Sequence, residues 1–392
     1  MSSLLHLALL WAVCHHVADA LRHGQGKAHS WQGLLGRAVE PEEAVALGDD
    51  ADLGVGGEDR GGAVVLREPG AVEDVEAWLH MSHARQHFNF SLFLPLLRSL
   101  QEGLQKIGIA SRAIDQNSSD EMVEGVRKAV ARGMRPLVVT VGIFWASEAT
   151  IRALRDCKDA GAYLVLYSTE PAWADEVYKM ATDLGVQEVW EYAMSNIDRY
   201  SSEFKSRVPV RYLPPGYARQ FEVGVDLRSP ERQEGKVGFL GRLGFRPKGI
   251  QEMYEAMLGD LLNETYRVWS RRGLQSFLDT FPLQLNLHKG QTCCPHDESE
   301  PVAMEAFRMT SLLSNKACVV STPVPESDRR RWEGIVHFAE ANETLLALQE
   351  LRKDVRGCQE RAAALYKERF DPERLLRASG FLDAWQPSSP EI

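Results

Sequence analysis

The sequence is short of positive charge, of cysteine and of long apolar runs, and each shortage removes a class of function. Lysine and arginine number 45 against 55 aspartates and glutamates, a formal charge of −10. Broad binding of nucleic acid needs a basic face, so no nucleic-acid partner is expected, although a local basic pocket stays open. Six cysteines in 392 residues, with no C-x-x-C pair, make neither a disulfide framework nor a zinc ribbon. Beyond residue 20 there remain Cys157, Cys293, Cys294, Cys318 and Cys358. That odd set allows one bridge plus free thiols. Cys293 and Cys294, with His288 and His296, come nearest to a metal site, but adjacent cysteines rarely ligate one ion together, and no metal is expected. After the first twenty residues nothing is long and apolar enough to span a bilayer. There is no G-x-S-x-G elbow and no G-x-x-x-x-G-K-[ST] phosphate loop, which removes two common hydrolase routes.

What is present begins with residues 1–20. Positions 4–14 are apolar, and Ala18-Asp19-Ala20 is a small-x-small cleavage pattern, as in a signal peptide. The stretch has no Lys or Arg ahead of its apolar core, and an uncleaved anchor is the competing reading. His15, His16 and Asp19 make it a poor membrane span. The expectation is a cleaved signal and a secretory-pathway lumen or secretion, with the cytoplasm as alternative. Residues 21–62 hold ten of the 31 glycines, carry mixed charge and lack a hydrophobic period, so a low-complexity stalk or propeptide is expected. Asn89, Asn117, Asn263 and Asn342 stand in N-x-[ST] sequons, consistent with a glycoprotein.

The remainder alternates regularly. A first strand is expected over 63–66, then a helix over 90–108 with Leu92, Leu96, Leu97 and Leu100 on its apolar side. Strands over 109–114, 137–141, 163–167, 186–190 and 210–213 are interleaved with helices over 120–133, 147–160, 174–184 and 195–205. Strands separated by helices of this length make a parallel sheet covered on both faces. A polar linker over 228–235 leads to a second α/β unit that starts with a strand over 236–240, has another strand over 335–338 and ends in a mostly helical segment, 342–385. The expected division is a signal at 1–20, a low-complexity segment at 21–62, one Rossmann-like domain at 63–227, the linker, a second at 236–385 with terminal helices, and a tail at 386–392.

The densest set of usable polar groups lies between residues 283 and 321. Leu283, Leu285 and Leu287 alternate with Gln284 and Asn286, the period of a half-buried strand. The strand empties into His288, Lys289 and Gly290. After a polar loop, Ser299 is a candidate N-cap for a helix through Glu300 and Pro301. On that helix Val302, Ala306, Met309 and Leu313 form the buried stripe, with Glu305 and Arg308 one turn apart on its flank. A second strand covers 317–321. Ligands of parallel α/β sheets bind beyond the carboxyl ends of strands, where helix N-termini also point. Gly241 and Gly244, just after the strand over 236–240, would let backbone approach such a ligand, and Arg242, Arg246 and Lys248 add positive charge.

Five motifs in chain order, across residues 85 to 385, resemble a GT-B-type glycosyltransferase family, the spore-maturation-protein-like group among family-1 and family-4 relatives. They are Leu166-Tyr167-Ser168-Thr169-Glu170; Trp190-Glu191-Tyr192 through Asn196-Ile197; Tyr212-Leu213-Pro214-Pro215-Gly216-Tyr217; Val237-Gly238-Phe239-Leu240-Gly241 with Arg246; and Leu285-Asn286-Leu287-His288 with Glu305, Arg308 and the run Leu312 to Ser321. The sequence departs from the family at Lys316, where Gly is usual. It also departs at Ser311 and Ala303, the places of a glutamate pair in many retaining members. The resemblance implies two Rossmann-like domains facing a cleft, the GT-B architecture. It implies transfer of a sugar from a nucleotide-sugar donor to an unidentified glycan, protein or small-molecule acceptor, without metal or other cofactor. Arg242, Lys248, His288 and Lys289 would meet the diphosphate, with Arg246 adding positive charge; the alternative is solvated loop charge for Arg242 and Lys248 and a hydrogen-bonded strand-end histidine for His288. Glu305, oriented by Arg308, would accept sugar or ribose hydroxyls. Glu170 would be the general base of an inverting reaction, or a plain turn residue before Pro171. Trp145, Trp173 and Trp190 could stack sugars or fill the core. Two rival functions remain: a catalytically inactive nucleotide- or glycan-binding protein of the same fold, and a nucleotide-sugar epimerase.

Overall fold

A computed structural model describes residues 74–82, 88–142, 146–169, 174–246, 248–265, 270–288 and 302–385. All of them belong to one unit, Gly56–Ile392. They form two parallel sheets with helices around them, the doubly Rossmann-like α/β fold that the resemblance implies. The signal peptide, the glycine-rich segment, the strand expected over 63–66, Trp145, Glu170, Trp173, Lys289, the vicinal cysteines and the Ser299–Pro301 helix start lie outside the described residues.

The first sheet is built from β1 (Val75–Met81), β2 (Ala110–Asp115), β3 (Arg135–Val141), β4 (Tyr163–Ser168), β5 (Glu188–Glu191) and β6 (Val210–Tyr212), in the order β2-β1-β3-β4-β5-β6. Its helices are α1 (Phe88–Lys106), α2 (Ser119–Ala131), α3 (Glu148–Asp159), α4 (Ala174–Leu184), α5 (Met194–Arg199) and α6 (Ser202–Arg207). The sequence reading passed over β1, although all seven of its residues are buried. The reason is chemical: Glu76 and His80 break its apolar character. Glu76 survives burial because Arg112 and Arg132 both pair with it, and buried charge persists where it is paired. The single helix expected over 195–205 is two, broken where Tyr200 takes an extended backbone and Ser201 caps α6 through Phe204 N–H.

The second sheet comprises β7 (Val237–Leu240), β8 (Leu262–Thr265), β9 (Leu283–Asn286), β10 (Cys318–Ser321) and β11 (His337–Phe338), in the order β11-β10-β9-β7-β8. Around it stand α7 (Lys248–Leu258), α8 (Arg271–Thr280), α9 (Ala306–Leu313), α10 (Glu326–Trp332), α11 (Thr344–Leu351) and α12 (Val355–Arg369). Read from β7 onward, this order repeats that of the first five strands of the first sheet. The strand β9 is not half-buried as its alternation suggested: Gln284 and Asn286 are as enclosed as the leucines, because helices cover both faces of a parallel sheet. Cys318 of β10 and Cys358 of α12 form a disulfide, which settles which thiols pair among the described residues; Cys157 is free and buried. No helix among the described residues is long and apolar enough to cross a membrane. Asn117 and Asn342 are exposed, whereas Asn263 sits half-buried in β8.

The last helix, α13 (Pro372–Ala378), and the turn after it return to the first sheet, where Phe381 meets Trp190 edge-on at 5.1 Å and Trp385 meets Tyr163 at 5.0 Å. Trp190 is therefore core, with its indole N–H on Glu188 at 3.0 Å. The helix α9 is one of the elements that join the halves. Phe307 packs against Phe93, Tyr167 and Tyr192, and Thr310 bonds the Pro215 carbonyl at 3.2 Å. Lys316 adopts φ 57°, the one positive φ outside glycine among the described residues. Its carbonyl accepts from Gln359 at 2.5 Å, which fixes a left-handed helix stop of the kind more often made with Gly.

Candidate functional site

Strand order reverses between β9 and β7 in the second sheet, and a crevice opens beyond the carboxyl ends of strands at such a switch point. Three segments arrive there: Gly241 to Arg246 after β7, Leu287 and His288 after β9, and Glu305 to Arg308 at the start of α9. The expected helix began several residues earlier. Instead Val302 to Glu305 precede it, and Glu305 occupies the N-cap position with φ −73° and ψ 68°. This brings its carboxylate inward rather than along a helix rim.

Four of the expected residues converge. Arg246 is buried and its Nε donates to the Leu287 carbonyl at 2.8 Å. Arg308 donates through Nη1 to Asn286 Oδ1 at 2.7 Å. Glu305 pairs directly with Arg308 and lies 3.9 Å from Arg246. The guanidinium carbons of Arg246 and Arg308 stand 5.0 and 5.3 Å from the centre of the Phe239 ring. One carboxylate and one aromatic face thus hold two buried cations. The fourth member, His288, is loosely placed by Asn286 and Ser321 at 3.5 and 3.4 Å. Burial depresses its pKa to about 4, against an upward pull from Glu305, and Arg308 and Arg246 push it down further. It is neutral at pH 7 and serves as a hydrogen-bonding group, not as a cation. Of the positive and polar roles open to it, this setting favours the polar one.

Other expectations part company with the geometry. Lys248 is largely exposed on the first turn of α7 and pairs with Glu252 at 3.4 Å, outside the cluster. Arg242 is exposed at the rim. Gly241 has a packing reason instead of a ligand-approach reason: a Cβ there would come within 2.6 Å of the Phe239 ring. Gly244 has open space around it. Ala303 and Ser311, at the places of the family's glutamates, are buried, so Glu305 is the acid that reaches the crevice. Two residues that do the positioning went unnoticed in the sequence as site residues. Asn286 donates to Ser321 Oγ at 2.9 Å while accepting Arg308, and Phe239 carries both guanidiniums. The signal for Asn286 was available, since a period of two puts it on the same face as His288.

Asp328 of α10 ties this site to the first half. Its carboxylate accepts Met194 N–H at 2.7 Å, Ser195 N–H at 3.3 Å, Ser195 Oγ at 2.6 Å and, from the segment leading to Glu305, Met304 N–H at 3.4 Å. Burial raises its pKa, and those four donors pull it back. Glu191, at the end of β5, accepts from Tyr200 and from Asn196 at 3.0 Å. Burial lifts it to about 7 despite those bonds. Among the described residues no group of three His, Cys, Asp or Glu side chains is placed to hold a metal ion.

No family model matches the chain, and no curated protein matches it. Among solved structures, the apo lipopolysaccharide outer core galactosyltransferase WaaB is 11% identical over 79% of this chain and 99% of its own, with a TM-score of 0.40. The T4 phage BGT in complex with its UDP-glucose substrate is 12% identical over 80% of this chain and 100% of its own, with a TM-score of 0.44. A carbohydrate transporter from Acidothermus cellulolyticus 11B in complex with myo-inositol covers 76% of this chain at 10% identity and a TM-score of 0.25. These superpositions are loose, and the assignment of the site rests on its own residues.

Proposed function

We propose that the chain is a glycosyltransferase that moves a sugar from a nucleotide-sugar donor to an acceptor, with Arg246 and Arg308 receiving the donor diphosphate. The observation that carries this is the pair of enclosed guanidiniums at the switch point of the second sheet, both beside the Glu305 carboxylate. Two cations held close in a low-dielectric site repel one another, and an anionic ligand between them relieves that repulsion. In sugar transfer the glycosidic bond loosens through an oxocarbenium-like state while negative charge gathers on the departing diphosphate. Fixed positive groups at that position stabilise the transition state more than the ground state. Arg246 and Arg308 supply this charge without calling on a metal. His288, neutral, offers a hydrogen bond to a sugar hydroxyl or phosphate oxygen, and Glu305 accepts ribose or sugar hydroxyls. Glu170 is kept as the candidate base that takes the acceptor's proton.

The reading is tested by incubating purified protein with nucleotide sugars and mixed acceptors and following released nucleoside diphosphate. Release with a common donor supports it; silence with all of them counts against it. Binding of a nucleoside diphosphate without release would instead select the inactive binding protein, a reading favoured by the missing glutamate pair. The Cys318–Cys358 bridge supports a secretory-lumen location, since structural disulfides persist in oxidising compartments.

A further inference from the structure

A groove of about 1020 Å³ runs along the open edge of β6, walled by parts of α5, α10, α12 and α13. The proposed transfer makes no use of it. Six cations line it, Lys205, Arg211, Arg330, Arg331, Arg369 and Arg374, against Glu333 and Glu368. On a chain of net charge −10 this concentration runs opposite to the composition.

How the cations are held matters more than their number. Arg369 donates to the Glu333 carbonyl at 2.6 Å, Arg374 to the Glu368 carbonyl at 3.3 Å and Lys205 to the Ile197 carbonyl at 3.3 Å. A neutral carbonyl fixes the position of a cation without cancelling its charge. Arg331 lies over the Tyr212 ring at 5.2 Å, and the ring face likewise leaves the net charge in place. Of the six, Arg211 and Arg330 alone pair with a carboxylate among the described residues, those of Glu188 and Glu326. The strand edge adds backbone N–H donors, together with carbonyls. Val189 N–H reaches Pro209 and Leu213 N–H reaches Glu191, so by alternation the backbone groups of Val210 and Tyr212 face away from β5. A groove of this size fits a small molecule. One charge at such an open site is weak under salt screening, so several are required.

We propose that this groove binds a small ligand carrying two or more phosphate or sulfate groups, at a site separate from the Arg246–Arg308 crevice. Tripolyphosphate and sucrose octasulfate, titrated calorimetrically at low salt, are the probes. At least one binds, and its affinity falls tenfold or more in Arg331→Ala/Arg374→Ala, while Arg331→Lys/Arg374→Lys recovers most of it. The same binding event is unchanged in Arg308→Ala and in the remote pair Lys128→Ala/Arg207→Ala. Tighter tripolyphosphate points to a phosphorylated ligand, tighter octasulfate to a sulfated sugar. The proposal is overturned if neither probe binds, if the remote pair weakens binding equally, or if Arg308→Ala abolishes it while the groove variant does not. Thermal melting of each variant confirms that it is folded.

Discussion

The strand order at the heart of each sheet is the same, and each copy places a histidine near the carboxyl ends beside its switch point. In the first sheet His80 of β1 is fully buried between Thr140 at 3.2 Å and Ser119 at 3.3 Å. In the second, His288 meets Asn286, Ser321 and the field of two arginines and a glutamate. Burial takes both imidazoles down to about 4. What separates them is the company they keep. The first histidine is enclosed by hydroxyls with the Asp115 carboxylate acting on it, while the second is partly exposed beside two arginines and a glutamate. Topology supplies a switch point in each sheet, and side-chain chemistry decides which one becomes a site.

The comparison can be broken most directly at Arg308. Arg308→Ala is expected to lower turnover about 10²–10³-fold, the scale of removing one transition-state donor, measured as released nucleoside diphosphate. A loss below about tenfold would make the second crevice as structural as the first. The second sheet also relies on a covalent staple that, among the described residues, the first does not have. Closing a loop across a separation of 40 residues contributes about 4 kcal/mol in the chain-entropy account. Cys358→Ser is expected to lower the denaturant midpoint by a corresponding amount, and hydrogen exchange should open β10 before β4.

The histidines sharpen the contrast through pH. His80 stays neutral in the folded chain to about 4, whereas the unfolded chain takes up its proton near 6.5. Stability is therefore lost as pH falls from 6.5 toward 4, by up to about 3 kcal/mol for this group. Glu191 works in the opposite direction. It holds its proton in the folded chain up to about 7, so stability falls as pH rises from about 4.5 to 7. The two offset one another over most of that window. Glu191→Gln should leave a steeper acid-side loss in thermal melts, and His80→Gln a shallower one. His288→Gln is expected to cost activity with less effect on melting, and equal melting losses at both positions would erase the distinction. The smallest effect is expected at Lys248→Ala, whose side chain is exposed beside Glu252: kcat/KM within about twofold of wild type.

Regular α/β alternation was legible because helices and buried strands differ in period and length. The helix α4 (Ala174–Leu184) has the bounds that periodicity gave it. The strand β1 was missed because its buried Glu76 is made tolerable by Arg112 and Arg132, partners 36 and 56 residues away that no local pattern announces. The span 248–282, which holds α7, β8 and α8, was passed over for a related reason: β8 is short, half-buried and polar at Asn263 and Glu264. Within the site, Glu305, Arg308, Arg246 and His288 could be picked out as chemically able residues in a motif. The burial that neutralises His288, and the Phe239 ring that gathers both arginines and requires Gly241, arise only in three dimensions.

Asp328 carries a consequence for how fast such a molecule can work. From the second half, one carboxylate grips the opening of α5 in the first half and also the segment entering α9 in its own. Should the halves part to let product escape, the bonds from Asp328 to Met194 and Ser195 must be surrendered together and remade on every cycle, while the bond to Met304 stays within its own half. Ruggedness toward heat and speed of release would then be tuned by the same atom pair, and Asp328→Asn would trade some of the first for the second.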